Sequence, residues 1–329
     1  MGSYIARRVV YAMLLLLAIS FAVYVIFALL PVDPALLTCG KNCKPQLIEA
    51  NRIRLGYDQP IIIQYWEFLK GLFIGRSYGT GTAAFACAAP ALGYSFQRGE
   101  CVTTLISDAL PATVYLAVGA VTLWVVTGIL LGIFAARRRG RFSDRFINIF
   151  TVVATSLPTF LTGQLLLIFL VARFQLLPYP DYESPFDDPV AFFSTMLLPW
   201  ITLALPGLAI YAKLTRNAVA ETEAEDYVRT ARAKGLTERL ILRRHTLRPA
   251  LSPLATLAAM DLAFMLGGAI ITEVIFNIPG LGRLAIASVE TIDLPVVVGT
   301  TFVSATIIVF FNLIVDVMYA TIDPRVRVS

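Results

Sequence analysis

Six long stretches of mostly apolar residues set the pattern of this chain. They cover residues 9–30, 109–136, 146–172, 191–212, 250–272 and 294–315. Each stretch reaches the roughly 20 residues that a helix needs to cross about 30 Å of hydrocarbon. Asp261, in the fifth stretch, is the one charged residue among them. Because a backbone in lipid must satisfy its own hydrogen bonds, the pattern predicts an all-α membrane protein with six transmembrane helices.

The composition agrees with a single membrane domain. The chain has 329 residues, of which 57% are hydrophobic and 15% are charged, so it is far more apolar than a soluble domain. No linker or low-complexity segment divides it. We predict an N-terminal tail with the first transmembrane helix at 1–30, an extracytoplasmic lobe at 31–107, and a five-helix core at 108–329 that contains a long loop at 213–249.

The net charge of +5 does not indicate a nucleic-acid-binding protein, because the basic residues do not form a patch with interleaved aromatic residues. The single histidine, His245, leaves no histidine-based metal site and no evident Ser/His/Asp set. These observations argue against most enzyme classes.

Arginine positions predict the orientation in the membrane. The loop between the second and third stretches contains Arg137, Arg138, Arg139, Arg141 and Arg145. The next loop contains Asp181, Glu183, Asp187 and Asp188. Basic residues concentrate on cytoplasmic loops, so we expect both termini on the cytoplasmic side. We interpret the first stretch as a retained anchor, because its 22 uncharged residues exceed the apolar core of a cleaved signal peptide.

All four cysteines, Cys39, Cys43, Cys87 and Cys101, fall in the predicted lobe. An extracytoplasmic location favours disulfide bonds over a metal site. Four cysteines allow three pairings, which the sequence does not distinguish; we favour Cys39 with Cys43 and Cys87 with Cys101.

The loop at 213–249 has nine Lys/Arg and five Asp/Glu residues, which indicates a solvated segment. Apolar residues recur at helical spacing from Ala220, and acidic residues near the start are followed by basic residues near the end. This pattern predicts a helix that ends near Lys234. Gly235 permits a left-handed helix cap, and Thr237 is placed to cap a second helix over 238–247. We therefore predict a helix, a tight turn and a helix.

The same loop carries a sequence resemblance. Residues 226–236 read DYVRTARAKGL and residues 244–250 read RHTLRPA. They resemble the coupling loop of ABC importer permeases, which docks into a groove on the ATPase subunit. The wider family has Glu-Ala-Ala, three residues, then Gly, and only Ala231 and Gly235 match it here; the peptide and nickel branch is similar to this chain at these positions.

Further motifs resemble the same family. They are PVDPA at 31–35, RLGYDQP at 54–60, EVIFNIPGLG at 273–282 and DVMYATIDPR at 316–325. Together they resemble the first of two unlike permeases in dipeptide, oligopeptide and nickel importers of bacterial inner membranes. The segment 80–101 has no counterpart in this resemblance, and we hypothesise that it shapes the docking of a solute-binding protein or forms a passive stapled loop.

The resemblance implies a type I ABC importer permease fold and a transport subunit without its own ATPase site. The chain has no phosphate-binding loop of the form GxxxxGK[ST], so ATP and Mg are expected on partners. The implied partners are a second permease, two ATP-binding subunits or one fused tandem ATPase, a solute-binding protein and a peptide. The implied docking residues are Tyr227, Val228, Ala231, Lys234, Gly235 and Leu236.

Asp261 is the candidate residue of the translocation pathway, because an acidic residue inside a span faces a partner group or water. It is placed to bind the ammonium group of a peptide or to form a hydrogen bond between helices. Two other interpretations stay open: a secondary transporter working alone, and an intramembrane protease built on Asp261 and Asp316. The substrate, whether dipeptide, oligopeptide, nickel or another solute, is not legible from the sequence.

Overall fold

The computed structural model describes residues 2–29, 44–55, 58–78, 85–138, 140 and 142–322. Cys39 and Cys43, the motif at 31–35 and the end of the 316–325 motif lie outside these residues. The described chain is mostly helical. It divides into two compact units, one formed by Met1–Thr113, Leu266–Ile270 and Pro279–Ser329, the other by Val114–Met265 and Ile271–Ile278.

The first part of the chain contains three helices and two small hairpins. The helices are α1 (Gly2–Ala28), α2 (Pro45–Leu55) and α3 (Ile61–Ile74). The strands are β1 (Arg76–Tyr78), β2 (Phe85–Cys87), β3 (Tyr94–Ser95) and β4 (Glu100–Cys101). Both pairs, β1 with β2 and β3 with β4, are antiparallel. The predicted lobe therefore contains short strands as well as helices.

The rest of the chain is helical. It contains α4 (Val102–Arg137), α5 (Phe142–Ser156), α6 (Thr159–Leu166), α7 (Pro189–Ala224), α8 (Asp226–Ala233), α9 (Glu238–Leu240), α10 (Leu247–Leu266), α11 (Ile270–Ile275), α12 (Leu281–Glu290) and α13 (Leu294–Ile322). Two π-helical segments, Leu167–Arg173 and Ile241–Thr246, continue α6 and α9.

Five helices in the described residues are long and apolar enough to cross a membrane. They are Ala6–Ile26, Val102–Arg137, Pro189–Ala224, Glu238–Leu266 and Leu294–Asp316. The helices Arg145–Ser156 and Thr159–Arg173 meet the same criterion only when taken together, and they are bent by 98° at a short break, which is the form of a broken span or of a re-entrant loop. Counted with this bent pair, the structure provides the six predicted spans.

Two of the predicted spans are not continuous helices. The third is broken at Leu157 and Pro158, because proline has no N–H and its ring disfavours the preceding helical turn. The fifth ends at Leu266 rather than near residue 272. Gly268 adopts a positive φ of 115°, which terminates the helix there, and α11 begins afterwards. Pro199 and Pro206, by contrast, lie inside α7 without ending it.

The first unit has a continuous apolar core. It is formed by Phe68, Leu92, Val102, Ile106, Ala109, Leu281, Leu284, Val296 and Val298. The backbone N–H of Leu281 donates to the buried Thr113 hydroxyl at 2.8 Å, which fixes the start of α12. Arg8 of α1 forms an ion pair with Asp316 of α13 at 2.7 Å. These contacts hold α1, α12 and α13 with the first turns of α4.

The second unit depends on a close approach of α4 and α7. A Cβ atom at Gly128 would lie 2.6 Å from Tyr211 Cβ, and one at Gly132 would lie 2.6 Å from the Ala212 carbonyl oxygen. Only glycine fits at this separation, and Gly128 and Gly132, four residues apart, place two such positions on one face of α4. The α7 helix begins where the Asp188 carboxylate accepts from the N–H groups of Val190 and Ala191 at 2.9 and 3.0 Å.

The lobe, which we define as residues 76–78 and 85–101, has its own small core. A disulfide joins Cys87 to Cys101, with the Cα atoms 5.8 Å apart. This is the second bond of the pairing that we favour. Next to the disulfide, the aromatic rings of Phe85, Tyr94 and Phe96 pack together. Phe85 and Tyr94 are stacked, with their ring centroids 4.0 Å apart. Burial raises the pKa of the Tyr78 hydroxyl beside them, although the Arg76 guanidinium opposes the shift.

The lobe is also attached to the start of α13. Buried Ser95 donates a hydrogen bond to Asp293, which is likewise buried, and the Gln97 side chain donates to the Thr291 carbonyl oxygen. Gly93 allows close approach to Pro295, since a Cβ there would lie 3.0 Å from its Cβ. Burial raises the pKa of Asp293, while the Ser95 hydrogen bond and Arg98 oppose the shift.

Candidate functional site

The predicted docking residues lie on a turn between two helices, residues 226–246. Glu225 is extended, with ψ of 146°, so α7 ends at Ala224 and a new helix begins at Asp226. The prediction of one helix from Ala220 is therefore wrong. The Glu225 carbonyl accepts from the N–H groups of Val228 and Arg229 at 3.1 and 3.2 Å, which starts α8 as a separate helix.

Gly235 ends α8 as the sequence predicts. Its φ is +78°, in the left-handed region that glycine adopts at no steric cost. The Leu236 N–H donates to the Ala231 carbonyl at 3.3 Å, and the Gly235 N–H donates to the Arg232 carbonyl at 2.9 Å. Thr237 occupies the predicted cap position before α9, but its side chain makes no capping hydrogen bond. The second helix also runs past residue 247 into α10 rather than ending there.

A small buried cluster holds the turn together. Val228 and Ala231 of α8 pack against Ile241, and their exposed fractions are 0%, 5% and 1%. Residues 228 and 231 are three apart, so they share one face of the helix. Val228 and Ala231, which we predicted to dock against a partner, therefore point inward and support the shape of the turn.

The remaining predicted docking residues lie on the surface of the turn. Tyr227 is 46% exposed and Leu236 is 36% exposed, and Lys234 and Gly235 are exposed beside them. Leu240, which the sequence analysis did not select, is 41% exposed. Leu240 could have been selected from the sequence because it lies on the second helical segment, just after Gly235. Tyr227, Leu236 and Leu240 therefore expose apolar side chains on the surface of the turn.

An ion pair spans the turn on its solvent side. Arg232 donates to the Glu238 carboxylate, with Nε at 2.8 Å from Oε1 and an Nη atom at 3.4 Å from Oε2. The hydrogen bond from Arg232 lowers the pKa of the Glu238 carboxyl. The pair joins α8 to α9 across Gly235.

Asp261 lies in α10 and accepts a hydrogen bond from the Tyr211 hydroxyl of α7 at 2.6 Å. This is a hydrogen bond between helices, one of the two roles that the sequence allows for Asp261. The other acidic residue of the protease hypothesis, Asp316, is paired with Arg8. Each carboxylate thus has a partner of its own.

Glu273 was missed as a candidate residue. It is completely buried in α11 and interacts there with another group, as a buried carboxylate requires. An acidic residue directly after an apolar span is the signal in the sequence. Among the described residues, no group of three or more His, Cys, Asp and Glu side chains is arranged to hold a metal ion.

Comparisons with known proteins agree with this architecture. Residues 1–117 match the N-terminal family of binding-protein-dependent transport system membrane components. Residues 128–328 match the family of binding-protein-dependent transport system inner membrane components. The two matches together cover nearly the whole chain.

Curated relatives are similar over their full length. The chain is 32% identical to a probable peptide ABC transporter permease protein, y4tP, of Sinorhizobium fredii, over 99% of this chain and 100% of the relative. It is also 32% identical to the glutathione transport system permease protein GsiC of Escherichia coli K12, over 99% of each chain.

Solved structures show the same fold at low sequence identity. A chain of the MetNI methionine ABC transporter in an inward-facing conformation aligns with a TM-score of 0.51 at 14% identity, covering 67% of this chain and 97% of that one. A chain of an amino acid ABC transporter with histidines aligns with a TM-score of 0.50 at 18% identity, covering 67% and 94%. The predicted type I permease fold is confirmed. The chain belongs to the family of inner-membrane components of binding-protein-dependent ABC transport systems, as a multi-pass membrane subunit.

Proposed function

We propose that this chain is one of two permease subunits of an ATP-driven importer of di- or oligopeptides. It forms half of the translocation pathway, and a second homologous permease forms the other half. ATP and Mg bind to two ATP-binding subunits or to one fused tandem ATPase, and a solute-binding protein delivers the peptide. The relatives named as peptide and glutathione permeases support this substrate class.

We place the subunit in a bacterial inner membrane with both termini in the cytoplasm. The arginines at 137–145 and the acidic loop at 181–188 support this orientation. On the same argument, the whole segment 31–107, which includes the lobe, is extracytoplasmic. Residues 213–249 form the cytoplasmic loop of a core at 108–329.

The observation that carries the proposal is the division of labour within the 226–246 turn. Val228, Ala231 and Ile241 are buried and make the turn rigid, whereas Tyr227 and Leu236 present apolar surface. A flexible loop would absorb a push from an ATPase subunit, but a braced turn transmits it to the helices that continue from it. Closure of the ATPase pair would thereby switch the spans between outward-open and inward-open states.

The docking surface is tested by placing a charge on it without disturbing the buried cluster. Tyr227→Asp and Leu236→Asp would each put a carboxylate into an apolar contact, and burial of an unpaired charge is costly. We expect ATPase subunits to be lost from the purified complex and peptide uptake to fall at least about tenfold, equivalent to about 1.4 kcal/mol. Tyr227→Phe, which keeps the ring, should retain both. A complete, fully active complex with Tyr227→Asp would refute this docking surface.

The substrate and the energy source need separate experiments. The ligand that the cognate binding protein retains identifies the substrate, and a metal ion in place of a peptide would contradict the peptide assignment. Gradient-driven uptake by the purified chain in liposomes without ATPase partners would show a secondary transporter instead.

Asp261→Asn separates the two roles of the α10 carboxylate. If Asp261 binds the ammonium group of the peptide, loss of the charge raises the apparent KM for uptake. If it serves only the Tyr211 hydrogen bond, an amide oxygen can still accept that bond, although more weakly, and the KM stays unchanged.

A further inference from the structure

An apolar groove of about 650 Å³ lies between α1 and α3 in the first unit. Its lining includes Leu17, Ala18, Phe21, Ile62, Trp66 and Leu69. Most of these side chains are open to the surroundings; Trp66 is 64% exposed and Ile62 is 74% exposed. The groove is open along its length and offers a purely apolar surface.

The two helices that form the groove are also joined to each other by polar contacts. The Tyr65 hydroxyl donates to the Leu17 carbonyl at 3.1 Å and lies 2.9 Å from the Ser20 hydroxyl. The Tyr24 hydroxyl donates to Gln64 Oε1 at 3.2 Å. These side chains satisfy one another, so the groove is a built feature with defined walls.

The depth of the groove in the membrane follows from the charges at the end of the spans. Arg8 and Asp316 pair directly before and after the uncharged stretches 9–30 and 294–315, so they mark one edge of the hydrocarbon. Phe21 follows Arg8 by thirteen residues and stands about 20 Å beyond this edge at 1.5 Å per residue. The Tyr65 ring contacts Phe21 with centroids 5.2 Å apart.

The last span gives the same depth independently. Phe302 precedes Asp316 by fourteen residues and stands about 21 Å from the same edge. The Phe68 ring meets Phe302 edge-on, with centroids 5.8 Å apart. In a hydrocarbon layer of about 30 Å, the middle of α3 therefore lies about 10 Å inside the opposite edge.

The distribution of residues around α3 fits this position. Ile62, Trp66, Leu69 and Phe73 follow one another at helical spacing on the groove side. Glu67 and Lys70, which pair with each other at 3.7 Å, project roughly a third of a turn away. An interfacial helix directs its apolar side into the acyl chains and its charges to the head groups.

We propose that α3 is embedded in the leaflet opposite the Arg8–Asp316 edge and that the α1–α3 groove binds an acyl chain of a phospholipid. The ligand is recognised by apolar contact and depth, with no head-group selectivity required. Residues 61–74 are thus a membrane element within a segment that hydropathy assigns to the lobe.

Trp66 itself reports on the groove. The chain has three tryptophans, and Trp124 is buried while Trp200 is half-buried, so the difference between the wild type and Trp66→Phe isolates the Trp66 emission. The full-length chain, purified with the subunits that accompany it, is reconstituted into phosphatidylcholine nanodiscs with or without bromine midway along the acyl chains. We expect brominated lipid to reduce the Trp66 emission about twofold or more, and aqueous iodide to leave it unchanged.

Two results would overturn the proposal. Quenching by iodide and not by brominated lipid would place α3 in water. Quenching by neither would show that another protein segment, such as a helix of an accompanying subunit, covers the groove.

A pair of matched substitutions tests occupancy. Ala18 and Ala22 are both exposed on α1, and only Ala18 lines the groove. Ala18→Phe fills part of the groove, so we expect native mass spectrometry to show fewer retained phospholipids than for the wild type, while Ala22→Phe retains the wild-type number. Equal lipid retention by all three proteins would contradict a bound acyl chain.

Discussion

The 226–246 turn and the lobe (residues 76–78 and 85–101) are held together in different ways. In the turn, Val228, Ala231 and Ile241 form the core, and all of them come from one short stretch of chain. In the lobe, a disulfide and a ring cluster form the core, and Ser95 reaches Asp293, which is 198 positions away. The turn is therefore encoded locally, whereas the lobe depends on a distant part of the chain.

The largest effect should come from placing a charge in the core of the turn. Ala231→Asp buries a carboxylate against Val228 and Ile241, which costs several kcal/mol and should unfold the turn. We expect protease cleavage within residues 226–246 and loss of uptake. Ala233→Asp introduces the same group at an exposed position two residues later and should leave the turn resistant to protease. Equal resistance of both variants would contradict a core formed by local contacts.

Removal of the disulfide should weaken the lobe by a smaller amount. Cys87 and Cys101 close a loop with a sequence separation of 14, for which the loss of cross-linking costs about 3 kcal/mol. We expect Cys87→Ser with Cys101→Ser to speed protease cleavage of the lobe and to leave cleavage of the 226–246 turn unchanged. If cleavage of the turn rises equally, the two regions do not fold as separately as the comparison implies.

The distant anchor of the lobe should respond to pH. Asp293→Ala leaves the buried Ser95 hydroxyl without its acceptor, at a cost of about 1–3 kcal/mol.

In the wild type, burial raises the pKa of Asp293, so the folded lobe holds the proton more tightly than the unfolded chain does. The contribution of Asp293 to the stability of the folded lobe is therefore complete below the unfolded pKa of about 3.9, and it declines as the pH rises through the raised pKa of the folded state. Protease resistance of the lobe should fall over that window, and Asp293→Asn should remove this component of the pH dependence.

The smallest effect should come from the ion pair on the solvent side of the turn. Arg232 and Glu238 are both largely exposed, and solvent screens such pairs. We expect Arg232→Ala to change neither the protease resistance of the turn nor the assembly of the complex measurably. A loss of ATPase subunits from this variant, with the turn still folded, would mean that Arg232 contacts the partner directly.

The same contrast explains which features the sequence could predict. Hydropathy located the spans because burial in lipid constrains every residue of a helix, and Gly235 marked the turn because few other residues adopt its φ of +78°. Ser95 and Asp293 carry no local pattern, so their contact was not predictable. The depth of α3 was missed for a related reason, since 14 residues are too few for a spanning signal and its level is set by contacts with Phe21 and Phe302.

The break in the third span exposes irregular backbone between α5 and α6. Ser156, Leu157 and Pro158 are exposed in the single chain, at the ends of α5 and α6. The Ser156 and Thr155 hydroxyls donate to the Val152 and Thr151 carbonyls at 2.7 Å within α5, and the Thr162 N–H donates to the Pro158 carbonyl at 3.1 Å as the first bond of α6. None of these bonds replaces the helical bonds that are lost at the break. Irregular backbone at membrane depth is tolerated only beside protein or water. If this pair is one broken span, its bend must therefore face protein or water and not the acyl chains of lipid.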